Sequence, residues 1–267
     1  MEIFISETPA EVARTAAGII AEEIRAVHGR GGRRAVIGVS TGSSPLGTYA
    51  ELSRLVRSGE LDVDGVTAFA LDEYIGLDEA HPESYHEVIR RTVTEQLGLD
   101  PELVHVPDGL AADIDEACRA YESAIRAAGG IDIQLLGLGT NGHIGFNEPG
   151  SPIDSRTRVT ELTPGTRIDN SRFFSGIEEV PFRSVTQGIG TILESRRLLL
   201  VAQGENKAEA IARTIEGRPD IDCPASALQR HPDAVIVIDR AAASMLRSGV
   251  RLAQAEGREE RVISTSR

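Results

Sequence analysis

The segment IDIQLLGLGTNGHIGFNEPGSP, residues 131–152, is the most informative part of this chain. A mostly apolar run from Ile131 to Leu136 leads directly into a glycine-rich segment. Glycine permits the positive φ angles that sharp turns require, so this segment is predicted to be a turn. The turn presents one imidazole, His143, and one carboxylate, Glu148. A strand that ends in such a turn can hold acid–base groups on a rigid scaffold. The segment therefore predicts a strand with reactive groups at its carboxyl end.

Similar apolar runs, bounded by turn residues, recur along the chain. We predict strands at Ala35–Val39, Val66–Leu71, Ile131–Leu136, Leu198–Ala202 and Ala234–Ile238. Apart from Ile131–Leu136, which contains Asp132 and Gln134, none alternates apolar with polar residues, which is typical of parallel strands buried on both faces. Helical patterns lie between them, at Glu11–Val27, Leu46–Arg57, Tyr85–Leu97, Ile114–Ala128 and Asn206–Ile215. This alternation predicts an α/β fold: one doubly wound domain over residues 1–267, with a mostly parallel central sheet and helices on both faces.

Two regions depart from the alternation. Residues 155–183 have scattered charges and no clear period, and so long an irregular stretch in a compact domain usually serves as a lid or binding loop. We therefore predict an irregular lid there. At the end of the chain we predict a helix over Ala241–Leu252 and a polar tail over residues 256–267.

Composition excludes several classes of partner. A net charge of −13 argues against nucleic-acid binding. No apolar stretch reaches the roughly 18 residues that a membrane span needs. The first residues lack the basic region and cleavage site of a secretion signal, and the two cysteines form no CxxC pair. We therefore expect a cytoplasmic protein whose partner is a small molecule.

Polar or glycine-rich clusters follow four of the predicted strands, at Ser40–Pro45, Asp72–Gly76, residues 137–152 and Gln203–Lys207. In open parallel sheets, ligands bind outside the carboxyl ends of the strands. We therefore expect these four clusters, although distant in sequence, to form one cleft.

The first cluster has the character of an anion-binding turn. Gly42 frees backbone N–H groups, Thr41, Ser43 and Ser44 add hydroxyl donors, and a helix begins directly afterwards. Lys207 is the only lysine among 28 basic residues, which makes it a candidate for contacting the same anion. Arg172, in the predicted lid, is a second candidate. The alternative is structural: a helix-capping turn and two solvated cations.

Two acid–base candidates follow from the second and third clusters. Asp72 at a strand end is a candidate base, because partial desolvation raises the pKa of a carboxylate; a solvated loop acid or a helix cap is the alternative. His143 is paired with Glu148, and Asn141 can orient the imidazole. A metal site built from Asp72, His143 and Glu148 lacks a second nearby histidine or cysteine, so we predict none.

Four motifs together resemble the glucosamine-6-phosphate deaminases. They are GTNGHIGFNEP (residues 139–149), LDEYIGL (71–77) with HPESY (81–85), STGSSP (40–45) and SRTR (155–158), and the likeness runs from about Ala35 to Asp239. The resemblance implies conversion of glucosamine 6-phosphate and water to fructose 6-phosphate and ammonia, without an organic cofactor. It implies that Asp72 removes the proton from carbon 2 and that His143 opens the sugar ring, helped by Asn141 and Glu148. It also implies that Thr41, Gly42, Ser43, Ser44, Arg172 and Lys207 hold the phosphate.

The chain departs from the family pattern at two positions. Many members have an aspartate where this chain has Asn141, so we expect Glu148 alone to stabilise a charged imidazole. Regulated hexameric members have a basic residue where this chain has Thr160. Although Ser151 and Arg158 of that regulatory site are present, we expect no activation by N-acetylglucosamine 6-phosphate. A monomer and a homo-oligomer such as a hexamer both stay open.

The sequence leaves three other interpretations open. A 6-phosphogluconolactonase-type hydrolase would need a histidine-assisted hydrolysis but no carbon base at Asp72. A non-enzymatic sugar-phosphate-binding module of a transcriptional regulator predicts an attached helix-turn-helix, whereas this chain begins with a strand. A Schiff base at Lys207 predicts a covalent adduct that borohydride would trap.

Overall fold

The computed structural model describes residues 1–247 and, as backbone strands only, residues 252–255 and 258–263. The strands are β1 (Glu2–Ser6), β2 (Val36–Val39), β3 (Thr67–Ala70), β4 (Asp72–Tyr74), β5 (Val104–His105), β6 (Ile133–Leu136), β7 (Arg158–Glu161), β8 (Arg183–Thr186), β9 (Arg197–Ala202), β10 (Ala234–Asp239), β11 (Leu252–Ala255) and β12 (Arg258–Ile263). The α-helices are α1 (Pro9–Arg30), α2 (Ser43–Arg57), α3 (Tyr85–Ile89), α4 (Glu95–Leu97), α5 (Ile114–Ala127), α6 (Pro164–Asn170), α7 (Ile189–Leu193) and α8 (Ala208–Glu216). A π-helical turn, Arg90–Thr94, joins α3 to α4.

The central sheet has the order β11-β12-β1-β10-β9-β6-β2-β3-β5 within the described residues. The seven strands from β1 to β5 in that order pair in parallel, and β12 adds to β1 in the antiparallel sense. The predicted α/β fold with a mostly parallel sheet is therefore confirmed. The two-residue strand β5 was not predicted, because so short an edge strand leaves no pattern in the sequence.

The strand order reverses between β2 and β6, which are neighbours. From β2 the chain continues outward to β3 and β5, whereas from β6 it continues in the other direction to β9 and β10. The connections that leave β2 and β6 therefore diverge and open a crevice at the carboxyl edge of the sheet. Such a reversal is where ligands bind in open α/β sheets.

Both faces of the sheet are covered, because successive strand residues point to opposite faces. In β9, Leu199 and Val201 pack in one hydrophobic cluster with buried residues of α1 and α2. Leu198 and Leu200 pack in a second cluster with α7 and α8. The strand is thus buried on both sides, as its uninterrupted apolar sequence predicts.

The predicted helices form where local signals place them. Helix α1 begins after Thr8, whose hydroxyl accepts the N–H of Glu11, and the Glu11 carboxylate accepts the N–H of Thr8 in return. Helix α5 begins after Asp113, whose side chain accepts the N–H of Glu116 at 2.9 Å. These caps satisfy N–H groups that a helix leaves without partners.

The prediction that residues 155–183 are irregular is wrong. The segment contains β7 and α6, and β8 begins at its end. Strands β7 and β8 form a small antiparallel sheet with β4, in the order β4-β8-β7. The sequence gives a weak signal here because β7 is half-exposed and α6 has seven residues, too few to show a helical period.

The prediction of a helix over Ala241–Leu252 is also wrong for the part of this segment that the structure describes. Residues 241–246 form hydrogen-bonded turns, and 248–251 lie outside the described residues. Ala242 is buried, but Met245 is 57% exposed, so this segment has little apolar surface to stabilise a helix by packing. The polar tail over residues 256–267 is interrupted by β12, which pairs with β1.

Candidate active site

A cleft opens at the carboxyl edge of the sheet, where the strand order reverses. The structure brings together in its lining eight of the predicted site residues: Thr41, Gly42, Ser43, Ser44, Asp72, His143, Arg172 and Lys207. They follow strands β2, β3, β6 and β9, apart from Arg172, which follows α6. The four clusters that the sequence places after strands therefore meet in one cleft.

The turn between β2 and α2 forms one end of this cleft. Gly42 has a φ of 92° and precedes the first residue of α2, a conformation that favours glycine. No side chain caps this helix start in the described part of the chain. The N–H groups of its first turn are therefore available to an anion.

Two cations face the same end. Lys207 ends the 3₁₀ turn Glu205–Lys207 after β9, and Arg172 lies in the 3₁₀ turn Ser171–Phe173. Burial lowers the pKa of Lys207; repulsion from Arg172 lowers it further, and Asp169 opposes both. Partly desolvated positive charge beside free N–H groups is a favourable environment for a phosphate group.

Asp239 holds the turn that carries Lys207. Both oxygens of this buried carboxylate accept the N–H of Gly204 at 3.1 Å, and Oδ1 also accepts the N–H of Ala242 at 2.7 Å. Gly204 has a φ of 88°. Asp239 was not predicted from the sequence, because an acid at the end of a strand does not reveal which loop it will bind.

Asp72 begins β4 directly after the buried Leu71 and is itself 5% exposed. Burial raises the pKa of its carboxyl group well above the ordinary value, and the negative charge of Glu73 raises it further. A carboxylate that has lost its water shell is a stronger base than one in solvent. Asp72 thus combines access to the cleft with an environment suited to accepting a proton.

Glu73 has a structural function instead. Its Oε1 accepts the N–H groups of Tyr74 at 2.7 Å and Tyr85 at 2.8 Å, and its Oε2 accepts that of His86 at 2.7 Å. Two of these donors lie in the first turn of α3, so Glu73 caps that helix. The helix cap that was the alternative for Asp72 is therefore provided by its neighbour Glu73.

His143 lies between the cleft and Glu148. Its Nδ1 is 3.5 Å from Oε2 of Glu148, and Nδ2 of Asn141 donates to the same oxygen at 2.8 Å. The hydroxyls of Thr166 and Thr163 donate to the other oxygen. Burial opposes ionisation of Glu148, but His143, Thr166 and Asn141 together lower its pKa to about 2. Glu148 is therefore a fixed negative charge behind the imidazole.

The glycines of this loop explain how the imidazole is seated. A Cβ atom at position 139 would lie 2.3 Å from Cε1 of His143, so the ring rests directly on the Gly139 backbone. Asn141 Oδ1 accepts the N–H of His143 at 3.1 Å and fixes the turn. Asn141 and Glu148 support His143 from behind and do not line the cleft.

Four polar lining residues were missed from sequence: Tyr85, Thr166, Asp169 and Asn170. Thr166 and Asn170 belong to α6, in the segment predicted to be irregular. Asn170 donates to the hydroxyl of Tyr74 at 2.9 Å, which ties α6 to β4. The motif that ends at Tyr85 was noted, but nothing in it shows that the tyrosine faces the cleft.

Ser151 and Arg158 lie outside the lining of the cleft. Arg158 donates to Oδ1 of Asn147 at 2.8 Å and to Oγ of Ser151 at 3.1 Å, and burial lowers its pKa. Thr160 follows two residues later in β7.

The described residues lack two further features. They contain no group of three or more histidine, cysteine, aspartate and glutamate side chains placed to hold a metal ion. None of their helices combines the length and the apolar character needed to cross a bilayer.

Comparison with known proteins adds to this geometry. A glucosamine-6-phosphate deaminase of Streptomyces avermitilis is 54% identical over 236 residues, which is 88% of this chain and 90% of the relative. A solved structure described as a monomeric glucosamine-6-phosphate deaminase of the NagB superfamily is 42% identical, with a TM-score of 0.87 over 92% of this chain and 100% of the other.

A more distant likeness concerns the fold alone. The 6-phosphogluconolactonase of Trypanosoma cruzi is 22% identical, with a TM-score of 0.72 over 91% of this chain and 95% of the other.

The family model for glucosamine-6-phosphate isomerases/6-phosphogluconolactonase matches residues 7–237. The chain therefore belongs to the glucosamine-6-phosphate isomerase/6-phosphogluconolactonase family.

Proposed function

We propose that this protein is an enzyme that converts glucosamine 6-phosphate and water to fructose 6-phosphate and ammonia. The observation that carries the proposal is one cleft lined by a desolvated carboxylate, Asp72, by an imidazole, His143, and by two cations beside a free helix start. Relatives more than 50% identical over most of their length bear the name of this activity.

Substrate binding begins with the phosphate. In this proposal, the N–H groups at the start of α2 and the cations of Lys207 and Arg172 hold the phosphate oxygens. That contact places the sugar along the cleft between Asp72 and His143. Holding the substrate through a group that does not react supplies orientation for the reacting carbons.

Ring opening is the first chemical step. His143 takes the proton from the hydroxyl on carbon 1, the bond between carbon 1 and the ring oxygen breaks, and His143 returns the proton to the ring oxygen. The result is the open-chain aldehyde. Glu148 stays ionised because its pKa is about 2, so it stabilises the imidazole while that ring carries a positive charge.

Proton transfer between carbons follows. Asp72 removes the proton from carbon 2, the electron pair forms a double bond to carbon 1, and the aldehyde oxygen takes a proton from solvent to give an enolamine. Asp72 then returns its proton to carbon 1, and the double bond moves to carbon 2 and nitrogen as a cationic iminium. Water adds at carbon 2, ammonia leaves and a proton returns to solvent, which yields the ketone fructose 6-phosphate. The raised pKa of Asp72 suits this step, because a weakly basic carboxylate abstracts a carbon-bound proton poorly.

The alternative, hydrolysis of a phosphogluconolactone, requires a water activated by His143 but no base for carbon. It leaves the burial of Asp72 without a chemical use. The 6-phosphogluconolactonase structure, moreover, resembles this chain in its fold alone.

A parallel assay separates the two activities. Ammonium release from glucosamine 6-phosphate and hydrolysis of 6-phosphogluconolactone are measured with the same preparation. The proposal predicts ammonium release with lactone hydrolysis at the uncatalysed rate. Lactone hydrolysis without ammonium release would replace it with the hydrolase.

We also propose that the protein is located in the cytoplasm. Cys118 and Cys223 are buried and unpaired, which suits the reducing conditions of the cytoplasm.

A further inference from the structure

Asp169 places a negative charge at the end of the cleft that carries the two cations. It lines the cleft together with Lys207 and Arg172. Asp169 lies in α6, and Arg172 follows three residues later in the adjoining 3₁₀ turn. One short piece of backbone therefore presents an anion and a cation to the same space. A carboxylate is an unfavourable neighbour for a phosphate dianion, so its position calls for an explanation.

The piece that carries Asp169 is fixed to the rest of the molecule. Asn170 donates to the Tyr74 hydroxyl at 2.9 Å. Arg167, at the other side of Asp169, donates to the carbonyl of Ile177 at 2.7 Å. The carboxylate itself accepts the hydroxyl of Thr140, in the loop that carries His143, at 3.3 Å. The charge of Asp169 is thus part of the built site.

The three charges act on one another without forming an ion pair within the described residues. Asp169 favours the charged form of Lys207, whereas Arg172 and burial disfavour it. With Asp169 ionised, the two cations and the carboxylate sum to a single positive charge. An incoming phosphate dianion therefore meets weaker attraction than Lys207 and Arg172 alone would supply.

We propose that Asp169 limits the affinity of the cleft for the phosphate group of its ligands, and so sets how readily a phosphorylated sugar is exchanged. The inference rests on the proposed function, because it takes the end of the cleft at Lys207 and Arg172 as the phosphate site. Substrate and product carry the same phosphate, so a site that holds this group too tightly would retain the product. Asp169 therefore lowers the affinity for the phosphate group and speeds release of the product.

The test uses inorganic phosphate as the probe, with its dissociation constant measured by calorimetry at low ionic strength. Asp169→Asn removes the charge but keeps an oxygen that can accept from Thr140. We expect it to tighten phosphate binding about three- to tenfold, an effect that shrinks as added salt screens the charges. KM for the sugar phosphate and the inhibition constant of the product fall in the same direction.

Two matched variants isolate the cause. Asp169→Glu keeps the charge, and we expect its dissociation constant to stay within about twofold of the parent value. Thr140→Val removes the hydroxyl that binds Asp169 but leaves the carboxylate, and we expect the same. Thermal unfolding of each variant checks that the fold is intact. Tightening by Thr140→Val equal to that by Asp169→Asn would overturn the inference, because the hydrogen bond would then be the cause.

Lys207→Ala separates this inference from the proposed function. If this variant weakens phosphate binding while Asp169→Asn leaves it unchanged or weaker, the phosphate site stands and the inference about Asp169 is wrong. If Lys207→Ala leaves phosphate binding unchanged, the phosphate lies elsewhere. The proposed phosphate site and the inference about Asp169 are then both wrong.

Discussion

The carboxylates of Asp72 and Glu73 are adjacent in sequence and both buried, but they contact different parts of the molecule. Glu73 accepts three backbone N–H groups and caps α3, whereas Asp72 lies buried at the cleft beside that charge. Strand β4 produces this division, because successive strand residues point to opposite faces. Burial raises the pKa of Asp72, the proposed base, and the charge of the structural acid Glu73 raises it further.

Glu73→Gln tests this coupling. The variant removes the neighbouring negative charge, so the pKa of Asp72 falls. Because a base must be ionised to act, activity is lost as the pH falls through that pKa. We therefore expect the acid limb of kcat/KM against pH to lie well above the ordinary carboxylate range in the parent and to move to lower pH in Glu73→Gln. Glu22→Gln, an exposed residue of α1, is the control, and an acid limb that stays in place would show that Asp72 does not set it.

Lys207 provides the second test. Because Lys207 supplies a partly buried cation at the phosphate end, we expect Lys207→Ala to raise KM by one to two orders of magnitude, roughly 1.4–2.8 kcal/mol of lost binding, with a smaller change in kcat. Lys207→Arg keeps the charge and should raise KM less. Steady-state kinetics provide the measurement. An unchanged KM would place the phosphate elsewhere, and a borohydride-trapped adduct on Lys207 would show a Schiff base instead.

Glu148 links the site to acid stability. Its pKa is lowered from 4.5 to about 2 in the folded protein, so its contribution to stability is complete above pH 4.5 and is lost as the pH falls toward 2. At about 1.4 kcal/mol per pKa unit, this lowering contributes roughly 3 kcal/mol. We expect the free energy of unfolding, measured with urea, to fall less steeply over this range in Glu148→Gln than in the parent. The exposed Glu178→Gln is the control, and equal slopes for parent and Glu148→Gln would contradict the assignment.

Much of this site follows from the sequence, because its residues lie at strand ends. The buried strands β2, β6 and β9 have mostly apolar sequences, and the polar residues after them must meet at one edge of a parallel sheet. The positions of Asp72 and His143 therefore follow from pattern and topology alone.

The remainder depends on tertiary contacts that leave no local pattern. Asp239 acts through a loop 35 residues earlier in the chain, at Gly204. Helix α6 is short and is fixed by Asn170 and Arg167 rather than by an apolar face. The distinct environments of Asp72 and Glu73 depend on which face of β4 meets α3, and the sequence alone does not specify that face.

Regulation gives a further prediction. Arg158 is bound to Asn147 and Ser151, and Thr160 supplies no positive charge beside it. We expect rate against substrate concentration to be close to hyperbolic and unaffected by N-acetylglucosamine 6-phosphate. Initial rates with and without that sugar test this expectation. A sigmoidal curve that the sugar makes hyperbolic would mean that Arg158 and Ser151 suffice for activation.

The central claim is that Asp72 removes the proton from carbon 2 within a cleft that holds the phosphate independently. The most direct test uses glucosamine 6-phosphate that carries deuterium at carbon 2, with cleavage of that bond followed by nuclear magnetic resonance. Asp72→Asn should slow the cleavage by about two to four orders of magnitude, because an amide cannot accept the proton. Its dissociation constant for inorganic phosphate should stay within about twofold of the parent value, since no phosphate contact is changed. Cleavage by Asp72→Asn at a rate near that of the parent would show that another group is the base.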